Sequence, residues 1–338
     1  MRLKVKDAIK HVISREMERD PLVYLIGEEV GVCGGPYQCS SGLLEAFGSA
    51  RVVDTPISEI GFTGCAVGSA FCGLKPICEF MSWSFSLQAL DHLVNSAAKT
   101  LYMSGGQIKC PIVFRGPNGF VPGLGAQHTN DLSGYFCSVP GLKVVAPHSV
   151  KEHIGLIRSA IRDQNPVIVL ENEVLYLKEE ECDEEVLGDE FSLPLDRALV
   201  VREGSEVTLV GVSLSVELCL GAAKILNEQN TSVEVLSMVA INPLDIDGVE
   251  RSVRRTGRVV VVEYGWPECG IGSEIAAQIG KRAFSGLLCP VVTISGKKVP
   301  TPYAKEIEEF AVPTVDGVVN EINKMMGRME YKKSKDLQ

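Results

Sequence analysis

Positive charge is in short supply in this 338-residue chain: 33 Lys and Arg stand against 43 Asp and Glu, a formal net charge of −10. That disfavours a nucleic-acid binder, because a phosphate backbone demands a basic face. Long apolar runs are lacking too. Uncharged stretches such as Gly61–Leu74 fall short of the roughly 18 to 20 residues that cross a bilayer, so no membrane partner is expected. The start, MRLKVKDAIK, has no apolar segment of a secretory signal. The eleven cysteines include no C-x-x-C pair, and Cys65, Cys72, Cys78 and Cys289 lie among apolar neighbours. Reduced, buried thiols in a reducing compartment are expected, rather than a disulfide framework or a zinc site. No G-x-G-x-x-G, no P-loop and no G-x-S-x-G elbow occurs, which weakens readings as a dinucleotide enzyme, a nucleotide hydrolase or a serine hydrolase.

What is present is ordinary globular material: 45% apolar and 22% charged residues, enough to bury a core and to exclude disorder over most of the length. At roughly 150 residues per domain, two domains are expected. Short Val- and Ile-rich runs, at Leu22–Ile26, Arg51–Asp54, Pro76–Phe80, Pro111–Phe114, Leu142–Ala146 and Val167–Leu170, read as buried strands. Helical patterns lie between them. Ser149-x-x-Glu152 reads as a capping box opening a helix to about Ile161, and Ser58 as the cap of a small-residue helix through Gly61–Leu74. Residues 178–190 are acidic and aperiodic and read as an exposed linker. A second alternation follows, with strands at Val207–Val212, Val233–Leu236, Val259–Glu263 and Val291–Ile294. The expected fold is α/β, with two doubly wound domains over 1–180 and 201–328, a linker over 181–200 and a charged tail over 329–338.

Ligands of open α/β sheets bind beyond the carboxyl ends of the strands. Glu28 and Glu29 fall there after the first strand, Glu59 after the second, and Met81, Phe85 and Gln88 after the third. Arg115 follows the fourth, and a glycine-rich stretch from Gly116 leads to His128. Carboxylates, an aromatic, an amide and a histidine converging on one edge form the pattern of a site. By residue type alone, Phe85 and Met81 suit a core equally well, and His128 a solvated loop.

Ordered blocks narrow this further: Leu25-Ile-Gly-Glu-Glu29, Asp54-Thr-Pro-Ile-Ser-Glu59, Ile77-Cys-Glu-Phe-Met81, Asn95-Ser-Ala-Ala-Lys99 and Pro111-Ile-Val-Phe-Arg-Gly-Pro-Asn-Gly119, then Gln127-His128, Pro166-Val-Ile-Val-Leu-Glu-Asn172, Glu263-x-Gly-Trp-Pro267 and Val299-Pro-x-Pro-Tyr-Ala304. With these the chain, to about residue 325, resembles the beta subunits of the 2-oxo-acid dehydrogenase complexes, of the thiamine-diphosphate, transketolase-like family. The block Glu79-Phe-Met-Ser-Trp-Ser-Phe-Ser is most similar to the pyruvate type. The domains implied are a pyrimidine-binding fold and a transketolase C-terminal-like fold. The resemblance implies oxidative decarboxylation of pyruvate with acetyl transfer to lipoamide. Glu59 would be the carboxyl that hydrogen-bonds the aminopyrimidine ring of thiamine diphosphate, Glu28 a second carboxyl relaying protons, and His128 the histidine that handles protons around the 2-oxo acid. Ile57, Met81, Phe85 and Gln88 would line the pocket.

The resemblance also implies a structural potassium ion held by carbonyls at Ile112, Ala160, Ile161, Asp163 and Asn165. The family's diphosphate and magnesium site carries Gly-Asp-Gly, which does not occur here; Gly188-Asp189-Glu190 is not that motif. The diphosphate half, with its magnesium, would therefore come from a pyruvate dehydrogenase alpha subunit, in a heterotetramer of two alpha and two beta chains. The C-terminal domain would dock a dihydrolipoyl acetyltransferase core. The mitochondrial matrix, a reduced mitochondrial organelle or a prokaryotic cytosol would suit such an enzyme. Two departures from the family pattern stand out: Thr129–Ser138, where an Ala-Trp-Tyr-Gly-His-like stretch is usual, and Leu214, where Arg is common. The alternatives are the beta subunit of a branched-chain 2-oxo-acid or acetoin dehydrogenase, and a non-catalytic scaffold.

Overall fold

A computed structural model describes residues 1–328, so the charged tail over 329–338 lies outside the described residues. The chain divides into two compact units: residues 1–121, 127–196 and 239–243, and residues 122–126, 197–238 and 244 onward.

In the first unit, runs with every side chain buried, such as Val167–Glu171, suit a parallel sheet covered on both faces. The strands β2 (Val23–Gly27), β3 (Val52–Asp54), β4 (Lys75–Glu79), β5 (Val113–Pro117), β6 (Lys143–Val145), β7 (Val167–Glu171) and β12 (Ala240–Asn242) form it, in the order β12-β6-β7-β5-β4-β2-β3. All pairs are parallel except β12 with β6. A small antiparallel pair, β1 (Arg2–Lys4) with β8 (Glu179–Glu181), stands apart.

Three long helices serve this sheet: α1 (Val5–Arg19), α2 (Glu59–Phe71) and α3 (Val150–Arg162). Ser149 caps α3 as its spacing predicts: its hydroxyl accepts from the Glu152 N–H at 3.2 Å, while the Glu152 carboxylate reaches back to the His148 N–H at 2.7 Å. Ser58 occupies the cap position of α2 but makes no side-chain cap bond, and the helix stops at Phe71, short of the expected Leu74. The acidic stretch over 178–190 is largely exposed, as expected, and is also tied to the helices of the first unit. Residues 181–196 belong to the first unit. Arg15 grips the Asp189 carboxylate with two hydrogen bonds, at 2.9 and 2.7 Å, and buried Arg158 donates to the carbonyls of Gly188 and Phe191, both at 2.6 Å. Arginines on α1 and α3 thus supply the partners that the linker's own sequence does not reveal.

The second unit carries β9 (Leu199–Arg202), β10 (Val207–Gly211), β11 (Val233–Ser237), β13 (Val259–Val262) and β14 (Val292–Ile294), in the order β14-β13-β10-β11-β9, with only β9 antiparallel. Its helices are α4 (Ser215–Glu228), α5 (Ile246–Thr256), α6 (Ile271–Arg282) and α7 (Val315–Met325). Apolar faces of α4 and α7, with Ala222, Leu226, Val318 and Ile322, close a core over Leu209, Val235 and Val260. Leu214, one of the two departures, is buried just before α4.

All eleven cysteines are free thiols, as expected, yet Cys65 and Cys72 are exposed and Cys289 is half-buried. Their neighbours in sequence are apolar; their positions on the fold are not.

Candidate active site

The carboxyl ends of β2, β3, β4, β5 and β7 form one edge of the first unit's sheet. β2 ends at Gly27 and delivers Glu28, only 4% exposed. The Thr55 N–H donates to the Gly27 carbonyl at 3.0 Å, and the Asp54 carboxylate accepts from the N–H groups of Gly31 and Val32, at 2.5 and 2.9 Å. These bonds tie the turns after β2 and β3 together. The second turn leads to Glu59, which opens α2 and is 3% exposed.

Burial pushes the Glu28 carboxyl up from its ordinary value, and the charges of Glu59 and Glu29 push it further. Glu28 Oε1 is buried with no hydrogen-bond partner among the described residues. Such an atom is costly unless something else meets it. Two buried carboxyls, one of them incompletely bonded, fit a ligand that donates or shares protons, as an aminopyrimidine does.

β4 leads to buried Phe80 and half-buried Met81, whose carbonyl accepts from the Tyr37 hydroxyl at 3.2 Å. Ser82 then caps a short helix, Trp83–Ser86, accepting from the Ser84 N–H at 3.2 Å. Trp83 is fully buried and donates its indole N–H to the Val169 carbonyl at 3.2 Å. That anchorage turns Phe85 to the edge, where its ring meets His128 edge-on at 5.4 Å. His128 itself is exposed. The unusual stretch after it folds into a short helix, Ser133–Cys137, whose Phe136 ring packs on Trp83 at 5.1 Å.

The sheet edge therefore gathers Glu28, Glu59, Met81, Phe85 and His128. Ile57, 83% exposed, and Gln88, also exposed, lie on the outer surface of the same edge. Arg115, expected among the edge residues, is withdrawn into the interior at 1% exposure. Its partners Glu79 and Glu171, and Tyr37 beneath Met81, escaped the sequence reading. The only signal for the acidic pair was a Glu closing each of two buried strands.

The expected potassium ligands lie at the opposite edge, where β5 and β7 begin. The Asp163 N–H donates to the Ala160 carbonyl at 3.3 Å, and the Val167 N–H to the Ile112 carbonyl at 2.9 Å. The Asp163 carboxylate accepts from the backbone and side-chain N–H groups of Asn165, both at 2.9 Å, and pairs with Lys143. Ile161 is buried in the last turn of α3. Hard carbonyl oxygens at a helix C-terminus suit a cation, and each carbonyl keeps a second lone pair.

Family models match both units: the transketolase pyrimidine-binding domain over residues 2–178 and the transketolase C-terminal domain over 196–318. A solved chain described as "Split gene transketolase, inactive beta4 tetramer" superposes with a TM-score of 0.76, over 96% of this chain and 98% of that one. At 20% identity that likeness speaks for the fold. The chain belongs to the transketolase family.

Its relatives within that family are more specific. It is 50% identical to the pyruvate dehydrogenase E1 component subunit beta of Rickettsia bellii, over 96% of this chain and 99% of that protein. The mitochondrial E1 beta subunits of Saccharomyces cerevisiae and Caenorhabditis elegans are 48% and 47% identical, each over 96% of this chain and over 89% and 92% of theirs. Among transketolase-family chains, this one is a member of the pyruvate dehydrogenase E1 beta group.

Proposed function

We propose that this chain is the beta half of a thiamine-diphosphate-dependent pyruvate dehydrogenase, active only with an alpha subunit, that decarboxylates pyruvate and passes the acetyl group to lipoamide. The observation that carries the reading is the buried pair Glu28 and Glu59, in a chain half identical to E1 beta subunits over nearly its whole length. When bound, thiamine diphosphate supplies the nucleophilic carbon and the electron sink for decarboxylation. Glu59 would hold the aminopyrimidine through its carboxyl. Glu28, whose burial favours the protonated form, would keep a proton within reach of it. Met81 and Phe85 would wall the pocket, with Ile57 and Gln88 at its rim, and His128 would face the incoming 2-oxo acid and lipoyl group.

The chain lacks Gly-Asp-Gly, so the diphosphate and magnesium are assigned to the alpha subunit of a two-alpha, two-beta assembly. Potassium is assigned to the carbonyls of Ile112, Ala160, Ile161, Asp163 and Asn165. The C-terminal unit is assigned to docking the acetyltransferase core, with the acidic surface facing a basic patch; docking insensitive to salt would count against that. Relatives include mitochondrial and rickettsial proteins, and the matrix or a bacterial cytosol suits eleven free thiols.

Reconstitution with the alpha subunit tests the reading. Pyruvate should be turned over in preference to a branched 2-oxo acid, and Glu59→Gln should abolish turnover while the assembly elutes unchanged. Near-normal activity of that variant sinks the assignment. A cofactor-saturated complex inert on every 2-oxo acid revives the scaffold reading.

A further inference from the structure

Three neighbouring strands of the first unit end on one buried cation. Glu79 closes β4, Arg115 stands directly opposite it in the β5 ladder, and Glu171 closes β7. The Arg115 guanidinium donates to both Glu171 oxygens, from Nε at 2.8 Å and Nη2 at 2.6 Å, and from Nη1 to Glu79 Oε2. The Tyr176 hydroxyl donates to the same Glu171 carboxylate at 2.6 Å. All four side chains are within 5% of complete burial.

Such a cluster is poorly explained by stability alone. Desolvating three charged groups costs much of what their attraction returns, and well-packed apolar residues often fold as well or better. Its position suggests another role. Glu79 is followed by Phe80, Met81 and the short helix of Phe85. Arg115 is followed by Gly116, whose φ of +153° and close approach to the Phe80 carbonyl bring the ends of β4 and β5 together. From there the chain runs through Asn118 to His128. Glu171 is followed by Asn172, whose side-chain amide donates to the carbonyls of Asn118 and Phe120, both at 3.0 Å. Every loop that carries a pocket side chain on this half of the edge leaves from a residue of the cluster or is tied to its neighbour.

We propose that Arg115 is a positioning residue for the thiamine pocket: its planar fork fixes the ends of β4, β5 and β7 relative to one another and so holds the turn of Met81 and Phe85 in place, with Phe85 against His128. The proposal rests on the functional reading above for its consequence in catalysis, and on the geometry alone for its consequence in the loops. Lysine carries the charge without the fork and cannot serve both carboxylates in the same way. Burial pushes the Glu79 carboxyl above its ordinary value against the pull of Arg115, while Arg115 holds the Glu171 carboxyl below its own.

The test compares wild type, Arg115→Lys and Glu79→Gln, each co-expressed with the alpha subunit. Amide hydrogen exchange without cofactor should quicken about tenfold or more over 81–88 and 118–131 in Arg115→Lys, and hardly change in α3. Thiamine diphosphate affinity, read by calorimetry, should fall by about tenfold, and kcat by about a hundredfold with KM for pyruvate nearly unchanged, the cost of a misplacement near 1 Å. Glu79→Gln keeps the shape and an accepting oxygen and should show the same pattern more weakly; it carries the test if the lysine variant does not fold. Full function and unchanged exchange in Arg115→Lys would show that only charge is needed and would overturn the proposal. So would faster exchange spread evenly over the whole unit. A wild-type complex that neither binds the cofactor nor uses pyruvate defeats the functional reading, and the exchange pattern still decides the role of Arg115.

Discussion

Phe85 meets His128 edge to face, ring centroids 5.4 Å apart and planes at 86°. One residue comes from the turn after β4 and the other from the long loop after β5, so the contact adds to the bond from the Asn130 side chain to the Ser84 hydroxyl at 3.2 Å that already joins the two segments. Aromatic pairs of this geometry are worth about 0.5–1.5 kcal/mol beyond burial. Phe85→Leu keeps apolar bulk and loses the ring edge. We expect kcat/KM for pyruvate to drop by up to about tenfold, since 1.4 kcal/mol corresponds to that factor, with little change in melting temperature. An unchanged kcat/KM would show that the pair does not orient His128.

Asn172→Ala should loosen the His128 loop from below. The substitution removes the two hydrogen bonds by which the Asn172 amide holds the carbonyls of Asn118 and Phe120, and a lost intramolecular hydrogen bond costs about 0.5–1.5 kcal/mol. Denaturant unfolding should report a loss of about 1–3 kcal/mol on that ground. Asn172→Asp, which accepts but does not donate, should be no better.

Gly141 stands at φ +96°, and a Cβ there would run into the carbonyl of Ala98. Backbone cannot yield as a side-chain tip can. Gly141→Ala should destabilise the first unit by several kcal/mol, combining about 1–2 kcal/mol of left-handed strain with the clash. Thermal melting of the purified chain measures it, and a shift under a degree would contradict the geometry.

Glu28 gives a pH-dependent stability of definite sign. Its folded carboxyl sits above its ordinary 4.5, so the folded state binds the proton more tightly than the unfolded chain. The stability it lends is fully present below the unfolded value and is lost as pH rises through the folded one. Glu28→Gln removes that loss. The variant should melt higher than wild type at pH 7 to 8, with the difference vanishing toward pH 4.5, while activity falls. A variant less stable than wild type at neutral pH would mean that the Glu28 carboxylate is better satisfied than its orphaned oxygen indicates.

The long strands were legible because parallel strands buried on both faces must be apolar along their length. β2, β4, β7, β10, β11 and β13 all fall on runs read that way. The strands β1, β8, β9 and β12 were not legible. Each has only three or four residues; β8 is three glutamates, and β12 joins the first sheet from a position beyond β11 in the chain. Their pairing depends on partners far away in sequence, and no local pattern encodes it.

Candidate residues divide in the same way. Glu28, Glu59, Phe85 and His128 were found because each follows a recognisable strand in a recognisable block, and position after a strand is a property of sequence. Whether a side chain at that edge is buried or exposed is not. Ile57 and Gln88 are turned to solvent, and Arg115 is drawn inward by two carboxylates. By itself the sequence determined the alternation of elements, the acidic balance, the lack of a diphosphate motif and the carboxylates, aromatic and histidine beyond the strand ends. The tertiary structure alone decided that Glu79, Arg115 and Glu171 share one buried cluster and that Glu28 is left with an unmet oxygen. Burial and charge pairing arise from contacts between strands tens of residues apart, and those contacts exist only once the sheet has closed.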